Sequence, residues 1–222
     1  YMGVRSSFFQ DHDIHPKHHR GQNFLIDKNI LHKIVDAADI KKTDVVVEIG
    51  AGLGALTVEL AKKAKKVFAV EIDGDLVPIL KENTATYRNV IIIKDNALEV
   101  PLSRYAKKDG GYKVVANIPY HITSRLIRLF LEERPKPSSL FLLIQKEVAQ
   151  RIIAKPPDSS LLSLSVQYYA EPKILFTVSR NCFSPKPNVE SAVIRLNVIP
   201  SSQLPKKLEQ NSFFRLIKAG FA

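Results

Sequence analysis

The stretch DVVVEIGAGLGALTVELAKKA, residues 44–64, limits the fold more than any other part of the chain. Val45, Val46, Val47 and Ile49 form a β-branched run, which suits a strand buried on both faces. Gly50, Gly52 and Gly54 then let the backbone turn tightly and come close to a ligand. From Ala55 onward the composition is helical. A strand, a glycine turn and a helix in that order open a parallel α/β sheet, and such sheets bind ligands at the carboxyl ends of their strands.

The rest of the chain keeps this alternation. Ile30, Leu31, Ile34, Val35 and Ala38 recur at helical spacing behind Asp27, an N-cap residue type. KKVFAVEID is a second strand. DLVPILKENT is a helix with Pro78 in its first turn, where proline is tolerated. NVIIIKDNA, KVVANIPY and SLFLLIQKE read as the third, fourth and fifth strands, with the helix SRLIRLFLEE before the fifth. EVAQRIIA and LLSLSVQYYA read as helices around the loop KPPDSS. KILFTVS and SAVIRLNVI are two more strands joined by RNCFSPKPNVE, with no helix between them, so they are expected to pair antiparallel.

The expected class is therefore α/β, with a mainly parallel sheet covered on both faces. Residues 1–22 read as a flexible basic arm, residues 23–199 as the α/β domain, and residues 200–222 as a linker and the start of a further helical domain. Tyr1 ahead of Met2, and an apolar half-helix at the end, are what a piece of a longer chain would show.

Composition narrows the function. At 45% hydrophobic residues the 222-residue chain can bury a core. No apolar run approaches the roughly 18 residues of a membrane span. One cysteine, Cys182, excludes an internal disulfide and a paired-cysteine metal site, which fits a reducing compartment, the cytoplasm. The His-rich start lacks periodic ligand spacing, so no metal is expected. A net charge of +11 favours a polyanionic partner, most simply nucleic acid.

The glycine turn alone leaves two ligands open. Gly50-x-Gly52-x-x-Ala55 fits a dinucleotide fingerprint and hence a nicotinamide or flavin enzyme. It equally fits S-adenosylmethionine, and Glu48 favours that donor, since a carboxylate suits a cation and repels a pyrophosphate. Glu71 closes the second strand and can accept both ribose hydroxyls of an adenosine. Asp95 and Asn96 close the third, and either can accept from an adenine amine. Asn117 closes the fourth, beside the same cleft.

An exocyclic amine of a nucleobase is a weak nucleophile because its lone pair is delocalised into the ring. The Asn117 amide oxygen and the Ile118 carbonyl can accept its two N–H bonds and draw the nitrogen toward tetrahedral geometry. Pro119 stiffens that turn, and Tyr120 offers a ring face for the base. A paired base is out of reach and must be flipped out or unpaired. Phe183 is a candidate second stacking face, and Arg180 and Lys186 can meet phosphates.

These motifs resemble the KsgA/Dim-type rRNA adenine N6,N6-dimethyltransferases, with the Erm macrolide-resistance methyltransferases as close relatives. The matching stretches are GQNFLID (21–27), VEIGAGLGALT (47–57), VEID (70–73), NIPYHITS (117–124), QKEVAQRI (145–152) and FSPKPNVESAVIRL (183–196). The resemblance implies a Rossmann-like class I methyltransferase domain of seven strands, the last one antiparallel, followed by a small helical domain that is largely absent here. It implies S-adenosylmethionine as donor, with S-adenosylhomocysteine as product.

As substrate the resemblance implies two adjacent adenines in the 3′-terminal hairpin loop of small-subunit rRNA, modified by a monomer on the immature subunit. Gln22, Asn23 and Leu25 would line the donor site from the arm. Gly50, with Gly52, would face the methionine end, and Glu71, with Ile72, the ribose. Asn117 and Tyr120 would hold the adenine, with Phe183 stacked on it. Relatives usually carry Asp where Asn96 stands, so Asp95 and Asn96 both stay candidates. With the helical domain curtailed, the chain is expected to bind donor and methylate weakly. An Erm-like enzyme of large-subunit rRNA is the nearest alternative, and a non-catalytic assembly or transcription factor of the same fold is another. A nicotinamide oxidoreductase leaves NIPY unexplained.

Overall fold

The structure, a computed structural model, describes residues 22–101, 111–132 and 135–221. The arm expected over residues 1–22 lies outside them apart from Gln22. Seven strands form one sheet: β1 Val45–Ile49, β2 Lys66–Glu71, β3 Val90–Lys94, β4 Lys113–Asn117, β5 Ser139–Gln145, β6 Ala170–Val178 and β7 Ser191–Val198. Their order across the sheet is β3-β2-β1-β4-β5-β7-β6. The first five are parallel. β7 is antiparallel and inserts between β5 and β6.

Helices cover both faces: α1 Lys28–Ala37, α2 Ala55–Lys63, α3 Val77–Thr84, α4 Thr123–Glu132, α5 Lys146–Ile153 and α6 Leu161–Tyr169, with α7 Lys207–Gly220 after the sheet. Successive strand residues point to opposite faces, and this splits the core. Val47, Val114, Leu140, Leu142 and Ile194 pack with Leu126, Ile127 and Phe130 of α4. Val46, Val115, Phe141, Leu143 and Val193 pack with Leu31, Ile34 and Val35 of α1 and Leu56 and Leu60 of α2. Each fully buried Leu, Ile or Phe contributes ~1.5–3 kcal/mol of apolar burial.

The first three strands run outward from β1 to β3, and the chain then crosses back to place β4 on the other side of β1. This reversal opens a crevice at the carboxyl ends of β1 and β4. Ile49 and Asn117 end those two strands, so the fold itself brings the glycine turn and the NIPY stretch together.

The fourth strand ends at Asn117, as expected, because Pro119 has no N–H for the ladder; a single 3-10 turn, Tyr120–Ile122, follows. Two other boundaries differ from expectation. The fifth stops at Gln145, and Lys146 already begins α5. The sixth begins at Ala170 and contains Pro172, which is tolerated because β6 is the edge of the sheet. Among the described residues no helix is long and apolar enough to cross a membrane.

Asp27 caps α1 as its residue type suggests. Its Oδ1 accepts from Asn29 N at 2.9 Å and Ile30 N at 3.2 Å. Asp27→Ala is expected to lower unfolding stability by ~1 kcal/mol. Urea denaturation should show a lower midpoint at unchanged slope.

Candidate active site

Two backbone bonds hold the turn after β1 to β2: Gly50 N and Ala51 N both donate to Val70 O, at 2.9 and 3.1 Å. Gly50 has φ +72° and Gly52 φ +55°, in the left-handed region. A Cβ on Gly50 would stand 3.2 Å from the Asn117 carbonyl oxygen, and one on Gly52 3.2 Å from the Phe24 ring. Both positions need glycine for conformation and for close approach.

Two buried carboxylates flank the turn. Glu71 ends β2; its Oε2 accepts from Gly52 N at 2.7 Å and its Oε1 from Asp73 N at 2.8 Å. Burial raises its pKa, and the two backbone N–H groups oppose that rise. Each oxygen keeps a lone pair for a ligand hydroxyl. Glu48 is 1% exposed, and burial pushes its pKa up to about 8, with the Glu71 charge adding to the rise and the Thr57 hydroxyl opposing it. Neither Glu48 Oε2 nor Thr57 Oγ1 has a partner in hydrogen-bond geometry. A buried carboxylate oxygen left without a donor is costly, and a cationic ligand group would satisfy it.

The segment before α1 crosses the turn as a strap. Gln22 Nε2 donates to Asp73 Oδ2 at 2.9 Å. The Asn23 carbonyl accepts from Asn117 Nδ2 at 3.1 Å. Phe24 and Leu25 pair antiparallel with Ser184 and Phe183, and Ile26 N donates to Cys182 O at 2.9 Å. The strap thus touches the glycine-turn side of the cleft and the FSPKPNVE loop at once. A carbonyl only accepts, so Nδ2 of Asn117 must face it, and the Oδ1 atom is left on the other side of the amide. Among the described residues Oδ1 has no partner.

Tyr120 is half-buried. Its hydroxyl lies 2.8 Å from Ser191 Oγ, and burial raises its pKa while that bond opposes the rise. Asp95 and Asn96 follow β3. Asn96 is tied into its own turn: Oδ1 accepts from Leu98 N at 3.1 Å, and Nδ2 donates to Glu99 at 2.8 Å. Asp95 Oδ1 accepts from Asn96 N.

The expected residues line two adjoining cavities. One, of about 860 Å³, is lined by Glu48, Leu25 and the turn, and extends between α1 and α2. The other, of about 380 Å³, is lined by Gln22, Asn23, Glu71, Ile72, Asp95 and Asn96 together with Asn117, Ile118, Pro119 and Tyr120. Phe24, Gly50, Gly52 and Asn117 border both. Ile72 is 54% exposed at the rim, an apolar face beside the Glu71 carboxylate.

Three residues stand apart. Phe183 is 4% exposed within the α1–α2 side of the core and lines neither cavity. Arg180 and Lys186 are exposed on the β6–β7 loop, outside both cavities. Sequence reasoning passed over Phe24, Asp73 and Ser191, although each sits inside a quoted motif. Their roles come from contacts between distant segments. Among the described residues no cluster of His, Cys, Asp and Glu could hold a metal.

Residues 15–222 match the family described as ribosomal RNA adenine dimethylase. The chain is 44% identical over 201 residues to ribosomal RNA small subunit methyltransferase A of Dehalococcoides mccartyi, covering 90% of this chain and 69% of that one. A dimethyladenosine transferase from Plasmodium falciparum superposes with TM-score 0.79 at 32% identity, over 89% of this chain and 70% of its own. The 23S rRNA methyltransferase ErmE superposes with TM-score 0.77 at 27% identity, over 88% and 78%.

Glu48 holds its proton more tightly folded than unfolded. Its contribution to stability is therefore complete below about pH 4.5 and is lost as pH rises to about 8. Glu48→Gln removes that loss. In urea unfolding across pH, variant and wild type should match at the acid end, and the ligand-free variant should be a few kcal/mol more stable above about pH 8.

Proposed function

This chain belongs to the ribosomal RNA adenine dimethylase family, and from that membership we propose that it methylates small-subunit rRNA with S-adenosylmethionine as donor. The targets in this reading are the exocyclic amines of two adjacent adenines in the 3′-terminal hairpin loop. The enzyme works on the immature subunit, as a monomer, in the cytoplasm.

The residues present fit the donor. The orphaned Glu48 oxygen suits its ammonium, the glycine turn leaves room where any Cβ would intrude, and the Glu71 carboxylate suits a ribose diol. The exposed Ile72 face suits an adenine ring. Asp95 is the better acceptor for the adenine amine, because both ends of the Asn96 amide are held in its turn. Two buried carboxylates disfavour a pyrophosphate, which argues against a nicotinamide dinucleotide. When bound, the donor supplies an electrophilic methyl group on a sulfonium.

The protein's own part is positioning and electrostatics. Asn117 Oδ1 and the Ile118 carbonyl accept the two N–H bonds of the target amine and aim its lone pair. Tyr120 carries the base on its ring. Phe183 would reach the other face only after the strap and its loop part. Arg180 and Lys186 meet the RNA backbone. The observation that carries the reading is the Asn23–Asn117 bond, since it fixes the amide with its oxygen available to a substrate amine.

The test offers labelled donor to immature small-subunit particles and to protein-free large-subunit rRNA, and maps the label. Dimethyladenosine near the small-subunit 3′ end supports the reading; label confined to large-subunit rRNA replaces it with an Erm-like activity. Asn117→Ala is expected to cut turnover roughly 100-fold or more, with donor Kd by calorimetry within a few-fold of wild type. Near-normal turnover would remove Asn117 from its role.

A further inference from the structure

Tyr120 lines the smaller cavity beside Asn117, Ile118 and Pro119. It stands in a single 3-10 turn, and its ring has two rotatable bonds. Ser191 opens β7 and has no exposed surface. It pairs with Gln145 of β5 on one side and Val178 of β6 on the other. The preceding residue, Glu190, is also held: its carbonyl accepts from Lys146 N at 3.0 Å, and its carboxylate meets Lys146 Nζ at 2.8 Å. The Tyr120 and Ser191 hydroxyls lie 2.8 Å apart, and among the described residues neither has another partner. The far end of the Tyr120 ring is thus tied to a buried residue that is paired on both sides within the sheet.

We propose that Ser191 is a positioning residue that holds the Tyr120 ring as the stacking platform for the target adenine and thereby sets how completely that adenine is methylated. The inference rests on the proposed function. An unmethylated exocyclic amine has two N–H bonds for Asn117 Oδ1 and the Ile118 carbonyl. After one transfer the amine has only one N–H. The lone pair of that nitrogen must still attack the methyl carbon as the carbon–sulfur bond breaks. The remaining proton then passes to water. With one hydrogen bond gone, orientation in the second transfer depends more on stacking, so a loosened Tyr120 ring harms the second transfer more than the first.

The experiment compares wild type, Ser191→Ala, Ser191→Thr, Tyr120→Phe and the Ser191→Ala/Tyr120→Phe double variant on immature small-subunit particles. Monomethyl- and dimethyladenosine are quantified by nucleoside mass spectrometry, and donor Kd is measured in parallel by calorimetry. Loss of the hydroxyl pair should raise the monomethyl-to-dimethyl ratio roughly 3- to 10-fold, the size expected for freeing one ordered side chain. Ser191→Ala and Tyr120→Phe should show equal effects, the double variant no more than either, and Ser191→Thr should restore the ratio. Donor Kd should stay unchanged throughout.

An unchanged ratio in Tyr120→Phe, or a loss of both products in proportion, overturns the proposal. So does an additive double variant. Tyr120→Phe keeps the test decisive if Ser191→Ala folds poorly. Wild type that makes no methyladenosine on any rRNA overturns the proposed function and this inference with it, whereas normal wild-type products with insensitive variants overturn only the inference.

Discussion

Gly50 rests against the carbonyl oxygen of Asn117, where an added Cβ would stand a tight 3.2 Å away. That contact joins the end of β1 to the end of β4, the pair of strands between which the chain reverses its direction across the sheet. Around it the two sides of the cleft are built from the loops that leave those strands. The Gly50 and Ala51 amides tie the turn to Val70 on β2, and the Gly52 amide ties it to Glu71 at the end of the same strand. One close crossing thus holds the glycine turn beside the NIPY segment.

The electrostatics follow from burial. Glu48 and Glu71 are both withdrawn from water, and their pKa values rise for that reason first. Glu71 is compensated by two backbone amides. Glu48 keeps an oxygen without a donor, and burial favours its protonated form. The strap adds the second constraint. By accepting from Asn117 Nδ2 and pairing with the Phe183 segment, residues 23–25 link the Asn117 amide to the FSPKPNVE loop. Phe183 lies under this strap, inside the core, so its burial and the strap's placement are one structural fact.

The relation between sequence and structure is clearest at particular residues. Asp27 reads as an N-cap and is one, because capping depends on neighbours two and three positions away. Pro78 sits in the first turn of α3 for the same local reason. The strand end at Asn117 is legible because Pro119 follows it. The end at Gln145 falls two residues before the end of the SLFLLIQKE run, because an apolar run does not say where a helix takes over. Asp73, Phe24 and Ser191 gave no local signal. Their partners are Gln22, Gly52 and Tyr120, reached only through the fold.

The sequence by itself determined the alternation of strands and helices, the glycine turn with its carboxylates and the order of the motifs. All of these rest on short-range periodicity and backbone sterics. The tertiary structure decided that β7 inserts between β5 and β6, which placed Ser191 under Tyr120. It decided that Asn23 turns the Asn117 amide and that Phe183 is covered. Each of these depends on which distant segments share a hydrogen bond or a buried face, and no local pattern of residues carries that information.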